Sequence, residues 1–459
     1  MKTFDAIIVG AGQAGPPLAG RLTAAGMSIA FVERKLFGGT CVNTGCTPTK
    51  TMIASAYAAR MAQRAAEYGV TLGNASIGID MGAVIARREA IVSGARNGVE
   101  ASLRNNPRCT VFTGTASFTG PHTMRVGEDE ITAKQIFLNV GARAMIPDFP
   151  GVRDVPFFDN SSMLAFTGLP RHLVVVGGSY IGIEFGQMYR RFGSEVTIVE
   201  RAPRLVWHED EDVSAAIRDI LEREGITVRV DAECIHLAPH AEGVLVGTNC
   251  NTPPPDIPGS HVLLAVGRTP NTQDLGVDRA GIAVDRRGYI VVDDELRTNV
   301  EGVYALGDCN GRGAFTHTAY NDYEIVAANL LDGEARRVSD RIMCYALYSD
   351  PPLARIGMSE TEVRASGRPA LMGTRPMTRV NRAREKGESL GFMKILVDAE
   401  TKQILGASLL GVGCDEAVHS LLDVMYARAP YTTVTHAMHI HPTVSELLPT
   451  VLEDLKPLQ

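Results

Sequence analysis

Ala6-Ile7-Ile8-Val9-Gly10-Ala11-Gly12-Gln13-Ala14-Gly15 opens the chain's first structural unit. Four apolar residues read as a buried strand, and the Gly-x-Gly-x-x-Gly run reads as the turn into a helix that continues to Gly26. Gly10 permits the tight turn, Gly12 lets a pyrophosphate approach the backbone, and Gly15 lets helix and strand pack closely. The helix N-terminus attracts the phosphate charge. A second strand over 28–32 ends in Glu33, placed to accept hydrogen bonds from an adenosine ribose.

One such run is a weak signal, but this one is repeated. Residues 173–176 lead into Gly177-Gly178-Ser179-Tyr180-Ile181-Gly182, a helix to Gly193, and a strand over 195–199 that ends in Glu200. Gly10, Gly15, Gly26, Glu33 and Arg34 fall on Gly177, Gly182, Gly193, Glu200 and Arg201 at one constant offset of 167 residues. Two mononucleotide-binding units imply two dinucleotides, one a resident prosthetic group and one that exchanges. Ser179 replaces the middle glycine, so the second loop holds its pyrophosphate less closely or through the hydroxyl. Glu200 favours a free 2′-hydroxyl and hence NADH over NADPH, because a carboxylate repels a 2′-phosphate. Arg201 and Arg204 lie near enough to oppose that preference.

The remainder of the composition sets limits. With 459 residues, 45% hydrophobic and 21% charged, the chain suits about three globular domains. A formal charge of −7 and the lack of a basic run argue against nucleic acid as a partner. No apolar stretch approaches the roughly 20 residues of a membrane span, and no signal-like segment precedes the first strand, so a cytoplasmic enzyme is expected. Cys109, Cys234, Cys250, Cys309, Cys344 and Cys414 are scattered without metal-ligand spacing and read as buried reduced thiols.

The other two cysteines lie in Gly38-Gly39-Thr40-Cys41-Val42-Asn43-Thr44-Gly45-Cys46-Thr47-Pro48-Thr49-Lys50. Residues five apart on an ideal helix have Cα atoms about 8 to 9 Å apart, beyond the roughly 7 Å limit for a disulfide. A bridge here requires a distorted turn, for which Asn43, Thr44, Gly45 and Pro48 are suited. A strained bridge is also easily reduced, as a catalytic disulfide must be. Lys50, one turn beyond Cys46, shares its face and stabilises a thiolate or a reduced flavin.

With this run the sequence resembles the class I pyridine nucleotide-disulfide oxidoreductases, the family of glutathione reductase, dihydrolipoamide dehydrogenase and mercuric reductase, over essentially its whole length. The resemblance implies an α/β fold: two Rossmann-like dinucleotide-binding domains, for FAD and NAD(P), and a C-terminal α+β dimerisation domain. The expected boundaries are 1–150 and 269–340 for the FAD domain, 151–268 for the NAD(P) domain and 341–459 for the interface domain. It implies Cys46 as the thiol beside the flavin, Cys41 as the thiol facing substrate, and a Lys50–Glu184 pair near the flavin's reactive nitrogen. Thr298-Asn299-Val300-Glu301-Gly302-Val303-Tyr304-Ala305-Leu306-Gly307-Asp308 resembles the second FAD motif, with Asp308 on the ribityl chain. Gly114 joins the cofactor-binding set, as does Gly267 in Ala265-Val266-Gly267-Arg268-Thr269-Pro270-Asn271. Tyr180 resembles the tyrosine that covers the flavin until nicotinamide displaces it.

Near the C-terminus, His441-Pro442-Thr443-Val444-Ser445-Glu446 resembles the family's acid–base run. A proton shuttle needs a histidine oriented by a carboxylate, which His441 and Glu446 provide; His436 and His439 read as ordinary residues. In the family this histidine serves the partner subunit, so a homodimer with shared active sites is expected. The Thr40 and Pro48-Thr49-Lys50 variant resembles the mercuric-reductase-like subgroup, yet the paired cysteines those enzymes carry near the C-terminus are missing. The expected substrate is therefore a small disulfide or a soft metal ion held transiently at Cys41 and Cys46, with no structural metal. A dihydrolipoamide dehydrogenase-type enzyme and a slowly turning redox-sensing flavoprotein are the alternatives.

Overall fold

Strand Lys2–Val9, whose second half is fully apolar, pairs in parallel with Ile29–Glu33 on one edge and Asp129–Leu138 on the other in the computed structural model, which describes residues 1–73, 77–248 and 256–458. Cys109–Thr113 extends this sheet in parallel beyond Ile29–Glu33. Asp129–Leu138 is long enough to divide its outer edge. Its first half takes the antiparallel Thr123–Val126, followed by Ala116–Gly120, and its second half takes the parallel Val303–Ala305. A segment from far along the chain thus returns to the first sheet and brings Asp308 to the C-terminal ends of the strands, where open α/β sheets bind ligands.

The second sheet repeats this arrangement with Thr227–Arg229, Glu195–Val199, His172–Val176 and His261–Leu264, all parallel. The repeat extends to single atoms. Gly10 and Gly177 both lie in the left-handed region, at φ +104° and +116°. A Cβ on Gly15 would stand 2.3 Å from the Gly10 carbonyl oxygen, and one on Gly182 only 1.9 Å from that of Gly177. Glu33 accepts from the Ala11 and Lys35 backbone N–H groups at 2.7 and 2.8 Å; Glu200 accepts from those of Gly178 and Ala202 at 2.6 and 2.7 Å. All three positions correspond at the same offset as the glycines. In each unit a strand-end carboxylate ties down its own glycine loop, a constraint that accounts for the conserved spacing inside the repeat.

Where the chain passes between these two units, Ala142–Ala144 and Arg268–Pro270 run side by side as a two-stranded antiparallel ribbon. The C-terminal region forms a six-stranded sheet in the order Cys344–Leu347, Leu353–Gly357, Ile404–Leu410, Phe392–Asp398, Ala370–Pro376 and Lys456–Pro457, with every pairing antiparallel. Helix Cys414–Tyr426 packs its buried face on this sheet.

Two buried cation clusters join the C-terminal sheet to the second dinucleotide unit. Arg191 bonds Glu224 and Asp350, each at 2.6 Å, while Lys394 lies 3.0, 2.8 and 3.1 Å from Asp210, Asp212 and Glu360. Each cation meets more than one carboxylate, which is what makes its burial tolerable. The consequence for function is positional: the same attachment carries Tyr348 to the base of the cysteine helix.

Among the scattered cysteines, Cys109, Cys309 and Cys414 are buried free thiols and Cys344 is a half-buried one. Cys234 corrects the expectation of a reduced thiol, since it is disulfide-bonded; a bridge depends on Cα separation in the fold, which spacing along the chain does not reveal. Cys250 lies outside the described residues. No helix among the described residues is long and apolar enough to cross a membrane.

Candidate active site

The run that holds Cys41 and Cys46 is two helices, Gly39–Thr44 and Cys46–Gln63, broken at Gly45. A Cβ at Gly45 would stand 2.8 Å from the Thr40 carbonyl oxygen, so the sharp reversal admits only glycine. Pro48 does not contribute to the distortion, contrary to expectation. It falls in the first turn of the second helix, where its missing N–H would have had no intrahelical partner. The turn is instead clamped from outside. Asn43 donates to the Phe37 and Gly39 carbonyls and accepts from Arg96 at 2.7 Å, and Asn160 donates to the Thr44 carbonyl at 2.7 Å.

Cys41 and Cys46 stand as thiols in hydrogen-bond contact. The bond from Cys41 pushes the Cys46 thiol down to about 6, aided by the Thr316 hydroxyl 3.4 Å away and by the Lys50 charge, against the effects of burial and Glu184. The same bond, with burial, pushes Cys41 strongly upward. The pair is therefore polarised: Cys46 is the thiolate and Cys41 keeps the proton.

Lys50 donates to both oxygens of Glu184, at 2.9 and 2.7 Å. Glu184 is only 3% exposed and also accepts from the Tyr348 backbone N–H at 3.1 Å, while the Tyr348 ring lies 4.8 Å from the Lys50 ammonium. Tyr180 heads helix Tyr180–Phe192 and packs its ring 5.5 Å from that of Phe315, the residue before Thr316; burial pushes its phenol up to about 12. The cysteine helix, the second nucleotide loop and the start of helix Thr316–Ala327 thus converge on one place.

The first loop fits a bound dinucleotide. A Cβ on Gly10 would meet the Asn139 carbonyl oxygen at 2.2 Å, and one on Gly12 the Asn139 Oδ1 at 2.7 Å. Asn139 is fixed there, accepting from the Gly15 N–H and donating to the Leu306 carbonyl, so the cradle cannot relax. Gly114, at φ +153°, donates its N–H to the Glu33 carbonyl oxygen at the same strand end. Asp308 sits 3.2 Å from Arg268, but the contact is poorly aligned and the buried Arg268 Nε has no hydrogen-bond partner among the described residues. Burial pushes the Asp308 carboxyl up, with Arg268 opposing. An acid and a guanidinium so placed match the hydroxyl and phosphate oxygens of a flavin dinucleotide. Gly267, at φ +135°, lies on the ribbon beside them, its carbonyl accepting from the Met145 N–H. In the second loop the Ser179 hydroxyl makes no capping bond and is free to act as a donor.

His441 Nδ1 lies 3.0 and 2.9 Å from the two oxygens of Glu446. The single chain does not bring this pair to the cysteines. His441 is 70% exposed, its neighbours Met438 and Ile440 are 98% and 80% exposed, and the adjoining cavity is lined only by residues between 375 and 450. Sequence reasoning placed Asn43 in the distorted turn and missed Asn139, Asn160, Thr316 and Tyr348 as site residues.

Residues 4–322 match the family described as pyridine nucleotide-disulphide oxidoreductase, and residues 343–452 match its dimerisation domain. The chain is 35% identical to the probable pyridine nucleotide-disulfide oxidoreductase RclA of Escherichia coli, over 98% of each chain. It is 32% identical to a dihydrolipoyl dehydrogenase of Thermus scotoductus, over 99% of this chain and 98% of the other. A mercuric reductase of Bacillus cereus is 28% identical across 95% of this chain and 70% of its own length. Among solved structures, the Cu(II) complex of the HOCl-induced flavoprotein disulfide reductase RclA from E. coli superposes with a TM-score of 0.90 at 34% identity, covering 99% of both chains. On its fold, its paired nucleotide units and these matches, the chain belongs to the pyridine nucleotide-disulphide oxidoreductase family and is a flavin- and nicotinamide-dependent oxidoreductase.

Proposed function

We propose that this enzyme takes reducing equivalents from NADH at its second nucleotide loop, passes them through FAD to Cys41 and Cys46, and delivers them to a disulfide or a soft metal ion. The observation that carries this reading is the pair of free thiols, Cys41 and Cys46, on the helix whose Lys50 makes a half-buried ion pair with Glu184. Bound FAD supplies the relay between a two-electron hydride donor and the dithiol. Gly10, Gly12, Gly15, Glu33, Gly114, Gly267, Lys50 and Asp308 hold it in this reading, and Gly177, Gly182, Glu200 and Tyr180 serve the nicotinamide nucleotide.

With a disulfide, Cys41 first loses its proton to His441. Its thiolate attacks one substrate sulfur, the S–S bond breaks, and the departing thiolate takes a proton from His441, held in orientation by Glu446. The Cys46 thiolate then attacks the Cys41 sulfur, releasing the second thiolate, which takes its proton from solvent, and re-forming the Cys41–Cys46 bridge. Substrate gains two electrons and the dithiol loses two. Because His441 is exposed and its flank is apolar, we assign it to the site of a second copy in a homodimer. A soft cation would instead bind the dithiol directly and need no proton, a second reading favoured by the Cu(II) held by the similar E. coli structure.

Anaerobic titration with NADH is expected to raise a long-wavelength thiolate-to-flavin absorbance, followed by reoxidation with lipoamide, glutathione disulfide, Hg(II) or Cu(II), the fastest of which names the substrate. Because the Cys46 thiol lies near 6, that band should be full at pH 8, half lost near pH 6 and absent below pH 5. Bleaching of the flavin without the band would remove the cysteines from the electron path.

The two loops should be separable. Gly15→Ala is expected to yield a colourless protein lacking FAD. Gly182→Ala should stay yellow and be reduced by dithionite, yet lose about 100-fold or more in kcat/KM for NADH. Both expectations rest on an added methyl meeting a backbone oxygen inside 2.5 Å. Arg204 is turned back on the Trp207 and Glu209 carbonyls, which leaves the exposed Arg201 as the cation opposing Glu200 in the nucleotide preference. NADH should exceed NADPH in kcat/KM by about tenfold, and Glu200→Ala should narrow that ratio.

A further inference from the structure

A cavity of about 380 Å³ opens beside His441 and Glu446, and its far wall carries two guanidinium groups, those of Arg375 and Arg379. Neither guanidinium meets a carboxylate among the described residues, unlike Arg104, Arg218, Arg297 and Arg364, which are each paired with an acid four residues away. Arg375 donates through Nε and Nη2, at 3.2 and 3.0 Å, to the backbone carbonyl of Arg379, an uncharged acceptor that orients the fork without cancelling its charge. Arg379 is exposed, with no carboxylate in salt-bridge range among the described residues. The one acid in the lining, Glu446, is taken up by His441 through both oxygens. His439 completes the lining, its Nδ1 3.0 Å from the Ala437 carbonyl. The cavity is therefore a cationic recess in a chain of net charge −7.

We infer that this recess selects oxidised substrates bearing an oxyanion, a carboxylate or a phosphate, which Arg375 and Arg379 hold while His441 serves the sulfur. The inference rests on the disulfide-reductase reading above and deepens it. A planar fork fixed by a backbone carbonyl presents its remaining donors in one direction, the geometry suited to two oxygens of one anion. A pair of uncompensated cations at the mouth of an acidic protein also focuses anions there, an effect that added salt weakens.

Lipoate and lipoamide share one dithiolane and differ at the carboxylate. With the FAD-loaded dimer, kcat/KM for lipoate should exceed that for lipoamide by about tenfold, mainly through KM, and the ratio should fall to about one in R375Q/R379Q and at high ionic strength. Coenzyme A disulfide against pantethine distinguishes a phosphate from a carboxylate as the favoured anion. Equal rates within both pairs overturn the inference. If NADH reduces the cysteines but no disulfide is turned over, the disulfide reading fails, and the recess is tested by itself. Inorganic sulfate should then slow modification of His439 and His441 by diethyl pyrocarbonate in the wild-type protein and not in R375Q/R379Q. Absence of protection in the wild type overturns the recess as well.

Discussion

Cys46→Ser is expected to give a folded yellow protein that NADH bleaches without any long-wavelength band and that reduces disulfides roughly 10³-fold or more slowly. Cys41→Ser should behave oppositely toward light and alike toward substrate: a band present in the resting enzyme, with the same loss of turnover. The asymmetry follows from how the pair shares its proton. Cys46 receives a hydrogen bond from Cys41, another contact from Thr316 and the field of Lys50, all of which favour its thiolate. With serine at 41, a hydroxyl can still donate that bond, and Cys46 has no partner with which to form a bridge, so its thiolate persists. With serine at 46 there is no thiolate near Lys50, and Cys41 is left with a thiol that burial holds protonated. Neither substitution should unfold the chain, because serine is nearly isosteric and Cys46 is exposed in the cleft. A band in Cys46→Ser, or none in Cys41→Ser, would reverse the assignment of the two sulfurs. Substrate turnover surviving in both would place the chemistry elsewhere.

The parts of this arrangement that were readable from sequence are those fixed by local geometry. A glycine at positive φ, such as Gly10 or Gly177, and a glycine against a carbonyl, such as Gly15 or Gly182, leave a spacing that any reader can count, and their repetition at one offset exposed two nucleotide units. The Lys50–Glu184 pair was legible only through resemblance, since 134 residues separate its members and nothing local links them. Asn139, Thr316 and Tyr348 were illegible for a related reason. Each acts through a single contact made by a distant segment: an amide to the Gly15 N–H, a hydroxyl to Cys46, a backbone N–H to Glu184. A threonine or asparagine placed by tertiary packing has no periodicity or motif of its own. The misjudged Pro48 teaches the converse. Its residue type suggested a distortion, but its effect depends on whether it falls before or inside the helix, and that boundary was set by Gly45.

Mixing Cys41→Ser and His441→Gln subunits should restore activity that neither variant shows alone. Each pure variant is expected to lose about 10²-fold or more in disulfide reduction, the first for want of a nucleophile and the second for want of a proton donor. If His441 of one copy serves Cys41 of the other, each mixed dimer contains one site with both defects and one with neither. Random reassociation of equal amounts makes half the dimers mixed, so about a quarter of wild-type activity should return. The argument from geometry is that His441 and Glu446 form a finished pair, bonded at 2.9 and 3.0 Å, yet project from the chain's own surface with Met438 and Ile440 almost wholly exposed beside them. Two large apolar side chains next to an oriented histidine are costly to leave in water and are removed from it by a second copy. His441→Gln alone should keep the long-wavelength band, because that band depends on Cys46 and Lys50 and not on the proton donor. Activity that stays at the level of the separate variants after reassociation would confine each site to one chain, and would require the segment around His441 to move toward Cys41 during turnover.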